Sequence, residues 1–291
     1  SNAFVLRGAH PIFVDIRPDT LNLDARLLEA KLPAKTRAIV PVHYAGVGCD
    51  MDVICKLGAE RGIPIVEDNA HGLFGSYRGR KLGSFGAFST LSFHETKNIT
   101  CGEGGALIIN QPEYVERAEI IREKGTNRSQ FFRGQVDKYG WVDVGSSYLP
   151  SEVLAAFLVA QLEAWESIQA RRQAAWARYN TELAAWGSAQ GIGLPFVPAE
   201  ADHPAHMFYL LMPNLERRQA FIAHMSQAGI MTPFHYVPLH TSIMGRKLGC
   251  AEGDCPVTEN VSDRLVRLPL FASISAEEQR RVIEQALAFR A

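Results

Sequence analysis

Three short apolar runs, PIFVDI (residues 11–16), AIVPVHY (residues 38–44) and IPIVED (residues 63–68), lack the in/out alternation of a half-exposed strand. A strand that is apolar on both faces must be covered on both faces, as helices cover a parallel sheet. Helix-like sequence lies between them, for example DMDVICKLGAERG (residues 50–62), which closes on a glycine suited to a helix C-terminus. GAFSTLSFH (residues 86–94) and GALIIN (residues 105–110) read as two more strands. The pattern predicts an α/β fold with a mostly parallel central sheet flanked by helices.

The second half has a different character. From Pro150 and Ser151 onward, Leu154, Leu158, Leu162, Trp165 and Ile168 recur at three- and four-residue steps, which predicts one long helix with a packed face. It runs through Arg171 and Arg172 towards Gly187, long enough to bridge two domains. Beyond GIGLP (residues 191–195) come a strand (206–212), a helix (215–228) stopped by Gly229, a strand around 231–236 and a final helix. Ser275 and Glu278 form a capping-box pattern at the start of that helix. The reading is a large domain over residues 1–172, then a linking helix and a small α+β domain over residues 173–291. Ser1-Asn2-Ala3 resembles the scar of a cleaved tag, and FVLRGAHPIFVDI enters a strand without cap or turn. The large domain therefore reads as lacking its N-terminal part.

With 291 residues, 47% of them hydrophobic, the chain has enough material for two unequal domains with cores of their own. Lys and Arg number 30 against 31 Asp and Glu, so no electrostatic footprint for nucleic acid or a membrane surface is present. No apolar run approaches the ~18–20 residues of a spanning helix, and no signal peptide opens the chain. Cys49, Cys55, Cys101, Cys250 and Cys255 form an odd set without disulfide spacing, as expected of reduced thiols in a cytoplasmic enzyme. Neither the gap between Cys49 and Cys55 nor that between Cys250 and Cys255 is the tight C-x2-C of a zinc site, and no metal is expected.

Two motifs carry chemistry. EDNAH (residues 67–71) ends the third apolar run, and SFHETKN (residues 92–98) follows the next strand, so that Asp68 and Lys97 stand 29 residues apart at two strand ends. Open α/β sheets bind ligands at the carboxyl ends of their strands. Pyridoxal phosphate needs such a pair: a lysine to hold its aldehyde as a Schiff base and an acid to keep its ring nitrogen protonated. Taken singly, each residue has a plainer reading: Asp68 a helix cap, Lys97 a solvated lysine, His71 a structural histidine and Ser92 an ordinary strand serine. Glu103-Gly104-Gly105 permits close backbone approach beside the lysine loop.

The run IPIVEDNAHGLFGSYRGRKLGSFGAFSTLSFHETKNITCGEGGALI resembles the DegT/DnrJ/EryC1/StrS sugar-nucleotide aminotransferases, which are fold-type I pyridoxal-phosphate enzymes. PIFVDIRPDTLNLD, DMDVI and RLVRLPLF extend the likeness over nearly the whole chain. The resemblance implies Lys97 as the Schiff-base lysine and the residue that moves the proton, Asp68 as the ring-nitrogen partner, His71 beside the ring oxygen and Ser92 as a phosphate ligand. It also implies a nucleotide-sugar substrate, glutamate as donor, and a homodimer with shared active sites. The sugar-nucleotide diphosphate calls for cations, which Lys124, Arg128, Arg133 and Lys138 supply from a presumptive loop over residues 124–138. His235, Tyr236 and His240 lie in the region that closes over the sugar in the family, although at least one of the two histidines reads equally as core.

Two departures stand out. Where the family carries asparagine in a G-x-N-Y motif reaching across the dimer to the phosphate, this chain has Gly145-Ser146-Ser147-Tyr148, so Ser147 takes that place with a shorter reach. The family's N-terminal phosphate-binding turn and ring-stacking aromatic have no counterpart upstream of Phe4, so a truncated chain of impaired activity is expected. Other readings stay open: a non-catalytic remnant that dimerises or binds nucleotide, or a sugar dehydratase of the same fold, whose lysine is replaced by histidine.

Overall fold

The computed structural model describes residues 1–290. In the first half of the chain Val66–Asp68 runs parallel to Phe88–Ser92, with Val66 opposite Phe88 and Asp68 opposite Thr90. Phe88–Ser92 in turn runs antiparallel to Gly105–Ile109. Ile39 and Val42 lengthen the parallel side through bridges to Ile65 and Asp68. Pro41, between them, has no N–H to donate, which keeps this stretch from a continuous ladder. The helix Met51–Arg61 covers one face: Asp50 caps it by accepting from the Val53 amide, and Gly62 ends it at φ 63°. Its Met51, Ile54 and Leu57 pack with Ile39, Ile65 and Tyr77 in one apolar core.

Residues 11–16 do not form the expected strand; only Ile16 pairs, with Leu23. Asp15 explains the difference. Its buried carboxylate accepts from the Val257 amide and from the Thr258 amide (2.9 Å each), and from the Thr258 hydroxyl (2.7 Å). The segment is thereby tied to the start of the helix Pro256–Arg264 rather than to another strand. Upstream, Asn2–Val5 is a single helical turn where strand entry was expected.

The long helix is two helices, Glu152–Glu163 and Trp165–Gln190, separated at Ala164 (φ −93°, ψ 8°). Leu154 and Leu158 on one side of the break and Ile168 on the other pack against Phe93, Ile99 and Cys101. A one-residue break leaves the apolar periodicity in phase, so the pattern cannot reveal it.

In the second half of the chain Phe208–Leu211 pairs antiparallel with Leu265–Leu268, under Leu215–Gln227, Ala276–Ala288 and the second half of Trp165–Gln190. The expected strand around residues 231–236 is reduced to one bridge, Phe234 to Val266. Pro233, which cannot donate to a ladder, offers only its carbonyl, to the Arg267 amide at 2.9 Å. The capping box of Ser275 and Glu278 is formed. A third apolar cluster joins Leu21, Tyr44 and Ala45 to Met207, Tyr209 and Leu265, and is the seam between the halves. Among the described residues no helix is long and apolar enough to cross a membrane.

Candidate active site

Alternation in a strand sends neighbouring side chains to opposite sides, and Glu67 and Asp68 use both. Glu67, 0% exposed, accepts from His43 Nε2 (3.0 Å) and from the amides of Gly83 (2.8 Å), Phe85 (2.7 Å) and Gly86 (2.7 Å). Burial pushes its pKa up, but His43 and these amides more than reverse that, so it stays ionised at neutral pH. His43 is fixed as the donor, because its Nδ1 accepts from the Cys49 amide at 3.2 Å. Glu67 thus anchors the loop before the serine-bearing strand. Asp68, on the other side, is partly exposed, and its Oδ1 accepts from the Ala70 amide at 3.2 Å.

Ser92 is the last residue of Phe88–Ser92, and its hydroxyl accepts from the His94 amide at 3.4 Å. The chain turns at once: the Lys97 amide donates to the His94 carbonyl (2.9 Å), and Cys101 returns to Phe93 (2.9 Å). Gly104 lets this return lie close, since a Cβ there would stand 2.7 Å from Cys101 Sγ. His71, Ser92 and Lys97 line one small cavity with Ala70, Leu73, Asn98 and Ile99. Burial lowers the Lys97 pKa, and the Asp68 charge opposes that shift without cancelling it.

His71 is pushed down to about 3 by burial first, and then by the charges of Lys97, His235 and Arg267. It is a neutral imidazole at physiological pH, and its buried Nδ1 has no protein partner. The Tyr44 ring meets it edge-on at 5.9 Å, and the Tyr44 hydroxyl bonds His235 Nδ1 at 3.0 Å. On the other side the His206 ring stacks on His71, with centroids 4.1 Å apart and planes 17° apart. His235 is pushed down to about 4, chiefly by burial.

The remaining expected residues are placed unevenly. Tyr236 is exposed, with its ring 5.4 Å from that of His235. His240 is 2% exposed and bonds Glu259 at 2.7 Å, the arrangement of a satisfied core histidine. The presumed loop over residues 124–138 contains a short helix, Arg128–Phe132. Arg133 is engaged by both Glu119 oxygens, at 3.0 and 2.7 Å, whereas Arg128 lies over the Phe132 ring at 5.0 Å. Ser147 is exposed, in a bridge to Glu123, and is not among the residues lining the Lys97 cavity. Among the described residues no group of three or more metal-ligating side chains converges. Sequence reasoning missed Tyr44 and His206, which carry no local motif, and gave no role to Asn98, although it ends SFHETKN. It passed over Glu67, which period-two alternation beside Asp68 could have marked.

The model of the DegT/DnrJ/EryC1/StrS aminotransferase family matches residues 1–287. An uncharacterized protein of Methanocaldococcus jannaschii is 33% identical over 285 residues, covering 95% of this chain and 73% of that protein. Among solved structures, the aminotransferase TlmJ of Streptoalloteichus hindustanus superposes with a TM-score of 0.88 at 30% identity, over 99% of this chain and 75% of that one. DesV of S. venezuelae, solved with a ketimine intermediate, gives 0.84 at 33% identity, over 96% and 71%. The fold is that of the type I pyridoxal-phosphate enzymes, and the chemistry is pyridoxal-phosphate-dependent transamination. With Asp68, His71 and Lys97 gathered at the carboxyl ends of the sheet, the chain belongs to the DegT/DnrJ/EryC1/StrS aminotransferase family.

Proposed function

We propose that this chain transfers the amino group of glutamate to the ketone of a nucleotide-linked 4-keto-6-deoxy sugar. The product is dTDP-4-amino-4,6-dideoxygalactose, a nucleotide-activated amino sugar for the synthesis of enterobacterial common antigen and related lipopolysaccharide. The observation that carries the chemistry is a desolvated lysine and an unpartnered imidazole nitrogen on one cavity, with a strand-end carboxylate, Asp68, near enough for its charge to act on the lysine. Support for the sugar is the likeness of EKGTNRSQFFRGQVDKYGWVDVGSSYLPSE (residues 123–152) to the enzymes of that reaction.

The residues fit pyridoxal phosphate. Lys97 offers an amine for its aldehyde, Asp68 a carboxylate for its ring nitrogen, His71 Nδ1 a free polar atom and Ser92 a hydroxyl for its phosphate. When bound, the group supplies the carbonyl that carries nitrogen and the ring that withdraws electrons. Asp68 keeps the ring nitrogen protonated by its charge. Lys97 Nζ, whose lowered pKa favours the free amine, takes a proton from the substrate carbon and returns it. Neutral His71 can hydrogen-bond without adding a cation. Arg128, which has no carboxylate partner among the described residues, is available to the diphosphate, while Tyr236 and His235 border the sugar. In this reading Arg133 reaches the diphosphate only by leaving Glu119, and His240 acts by holding the loop through Glu259.

A homodimer completes the reading. The helix Glu152–Glu163 buries none of its residues, yet presents Val153 (78% exposed), Phe157 (54%) and Val159 (53%), with Trp141, Tyr148 and Leu149 nearby in sequence. An apolar surface of this kind calls for a partner. Ser147 lies in the same stretch and would serve the partner's cofactor phosphate. The test is incubation of the holoenzyme with L-glutamate and dTDP-4-keto-6-deoxyglucose, with the product identified by mass and by NMR at C4. Axial amine at C4 is expected. Spectral reaction with glutamate but no turnover of this sugar would show that the substrate is another one. Silence towards glutamate would reject the donor.

A further inference from the structure

Arg172 is a buried cation with no part in the proposed chemistry. It is 4% exposed, pushed down to about 10 by burial, and among the described residues pairs with no carboxylate. Its guanidinium donates instead to two backbone carbonyls, Ala205 at 3.2 Å and His206 at 2.6 Å. Ala205 holds the left-handed conformation (φ 49°), unusual for a residue with a side chain, and is 0% exposed. Such a conformation persists only where its surroundings impose it. Here it turns consecutive carbonyls towards one arginine of the bridging helix.

The turn also fixes the side chain that follows. Asn98, the residue after Lys97, is 8% exposed and donates through Nδ2 to the Pro204 carbonyl at 2.7 Å. Its Oδ1 is therefore the acceptor of the 2.8 Å bond to His206 Nδ1, so His206 carries its proton on Nδ1. Gly46 makes room on the far side, since a Cβ there would collide with the Pro204 ring and stand 2.9 Å from the His71 carbonyl. His206, 8% exposed, is thus gripped through its backbone by Arg172 and through its ring by Asn98, and lays that ring on His71.

We propose that His206 is a positioning residue: it joins the bridging helix to the lysine turn and sets the ring plane of His71 against the cofactor. The inference rests on the cofactor-dependent transamination of the family and is independent of which sugar is used. His206 touches no reacting atom. It acts by keeping His71 and the turn of Lys97 in one fixed relation, so that the two do not move separately.

The test uses the full chain loaded with pyridoxal phosphate, comparing His206→Phe, Asn98→Ala and the double variant with the parent. His206→Phe keeps a ring against His71 but removes the donor; Asn98→Ala removes the acceptor from the other end. Four quantities are read: thermal midpoint, cofactor bound per chain, visible induced circular dichroism per bound cofactor, and the spectral rate with saturating L-glutamate. Each single variant is expected to lose at least roughly half of the induced ellipticity and about tenfold in the saturating rate, with half-saturation unchanged within about threefold. The double variant is expected to be no worse than Asn98→Ala, because both substitutions break the bond between His206 and Asn98 and only Asn98→Ala also loses the bond to Pro204. Should His206→Phe fail to fold, Asn98→Ala carries the same expectation alone. Loss of thermal midpoint and occupancy with parent-like ellipticity and rate per bound cofactor would overturn the proposal in favour of a purely structural role. The dichroism needs no glutamate, so a parent that binds cofactor but does not react with the donor would count against transamination while still testing His206.

Discussion

Lys97 owes its character to opposed effects. Half-burial removes water from its ammonium and lowers the pKa, while Asp68 favours the charged form, and burial wins. The free amine is the reacting species, so capture of pyridoxal phosphate by the apoenzyme is expected to quicken as pH rises through that lowered value. The midpoint should lie below the ~10.4 of an ordinary lysine. Asp68→Asn deletes the one charge that raises the pKa, and should move the midpoint lower still. Stopped-flow absorbance against pH measures both, and a midpoint that rose in Asp68→Asn would contradict the assignment of the opposing charge.

Elements differ in how far their sequence betrays them. Asp68 and Lys97 were legible because two ionisable groups at the ends of buried strands are costly to keep without a use, and their spacing matched a known chemistry. The helix Met51–Arg61 was legible from its terminal glycine, and Ala276–Ala288 from its capping box. Residues 11–16 misled because their β-rich character is real while their pairing is decided 242 residues away, where Val257 binds Asp15. Leu265–Leu268 escaped notice because Arg267 interrupts its apolar run. His206 could not be found at all: it meets Asn98 across 108 residues, and no local pattern encodes that. Glu67 ties its strand to the loop that follows. Its replacement in Glu67→Gln would set an amide N–H2 against at least one of three backbone donors and remove the charge facing His43. A loss of about 2 kcal/mol or more in urea unfolding is expected. A change under roughly 0.5 kcal/mol, the size of an ordinary surface substitution, would mean the hub is not needed.

Across the whole molecule, burial holds four histidines neutral: His71 at about 3, His203 and His235 at about 4, and His206 well below its usual value. The unfolded chain binds protons on these groups from about pH 6.5 downward, while the folded chain does not until near pH 4 and below. Stability therefore falls as pH falls through that window and is insensitive to these groups above it. Glu67, whose folded pKa is depressed, adds a further loss below its ordinary value of 4.5. The thermal midpoint should be level above pH 7 and decline steadily from pH 6.5 to 4; a flat profile there would contradict the buried neutral state. The exposed helix Glu152–Glu163 sets a second expectation. Val153→Asp with Phe157→Glu should convert a dimer to a monomer in light scattering, and a monomeric parent at micromolar concentration would remove the shared-site reading.

Everything functional in this account depends on one covalent attachment. Borohydride reduction of the protein with pyridoxal phosphate, followed by peptide mass spectrometry, tests it directly. A single pyridoxyl adduct is expected on Lys97, within the peptide that contains His94 and Asn98. An unmodified Lys97 in a folded chain, or an adduct spread over surface lysines, would contradict it.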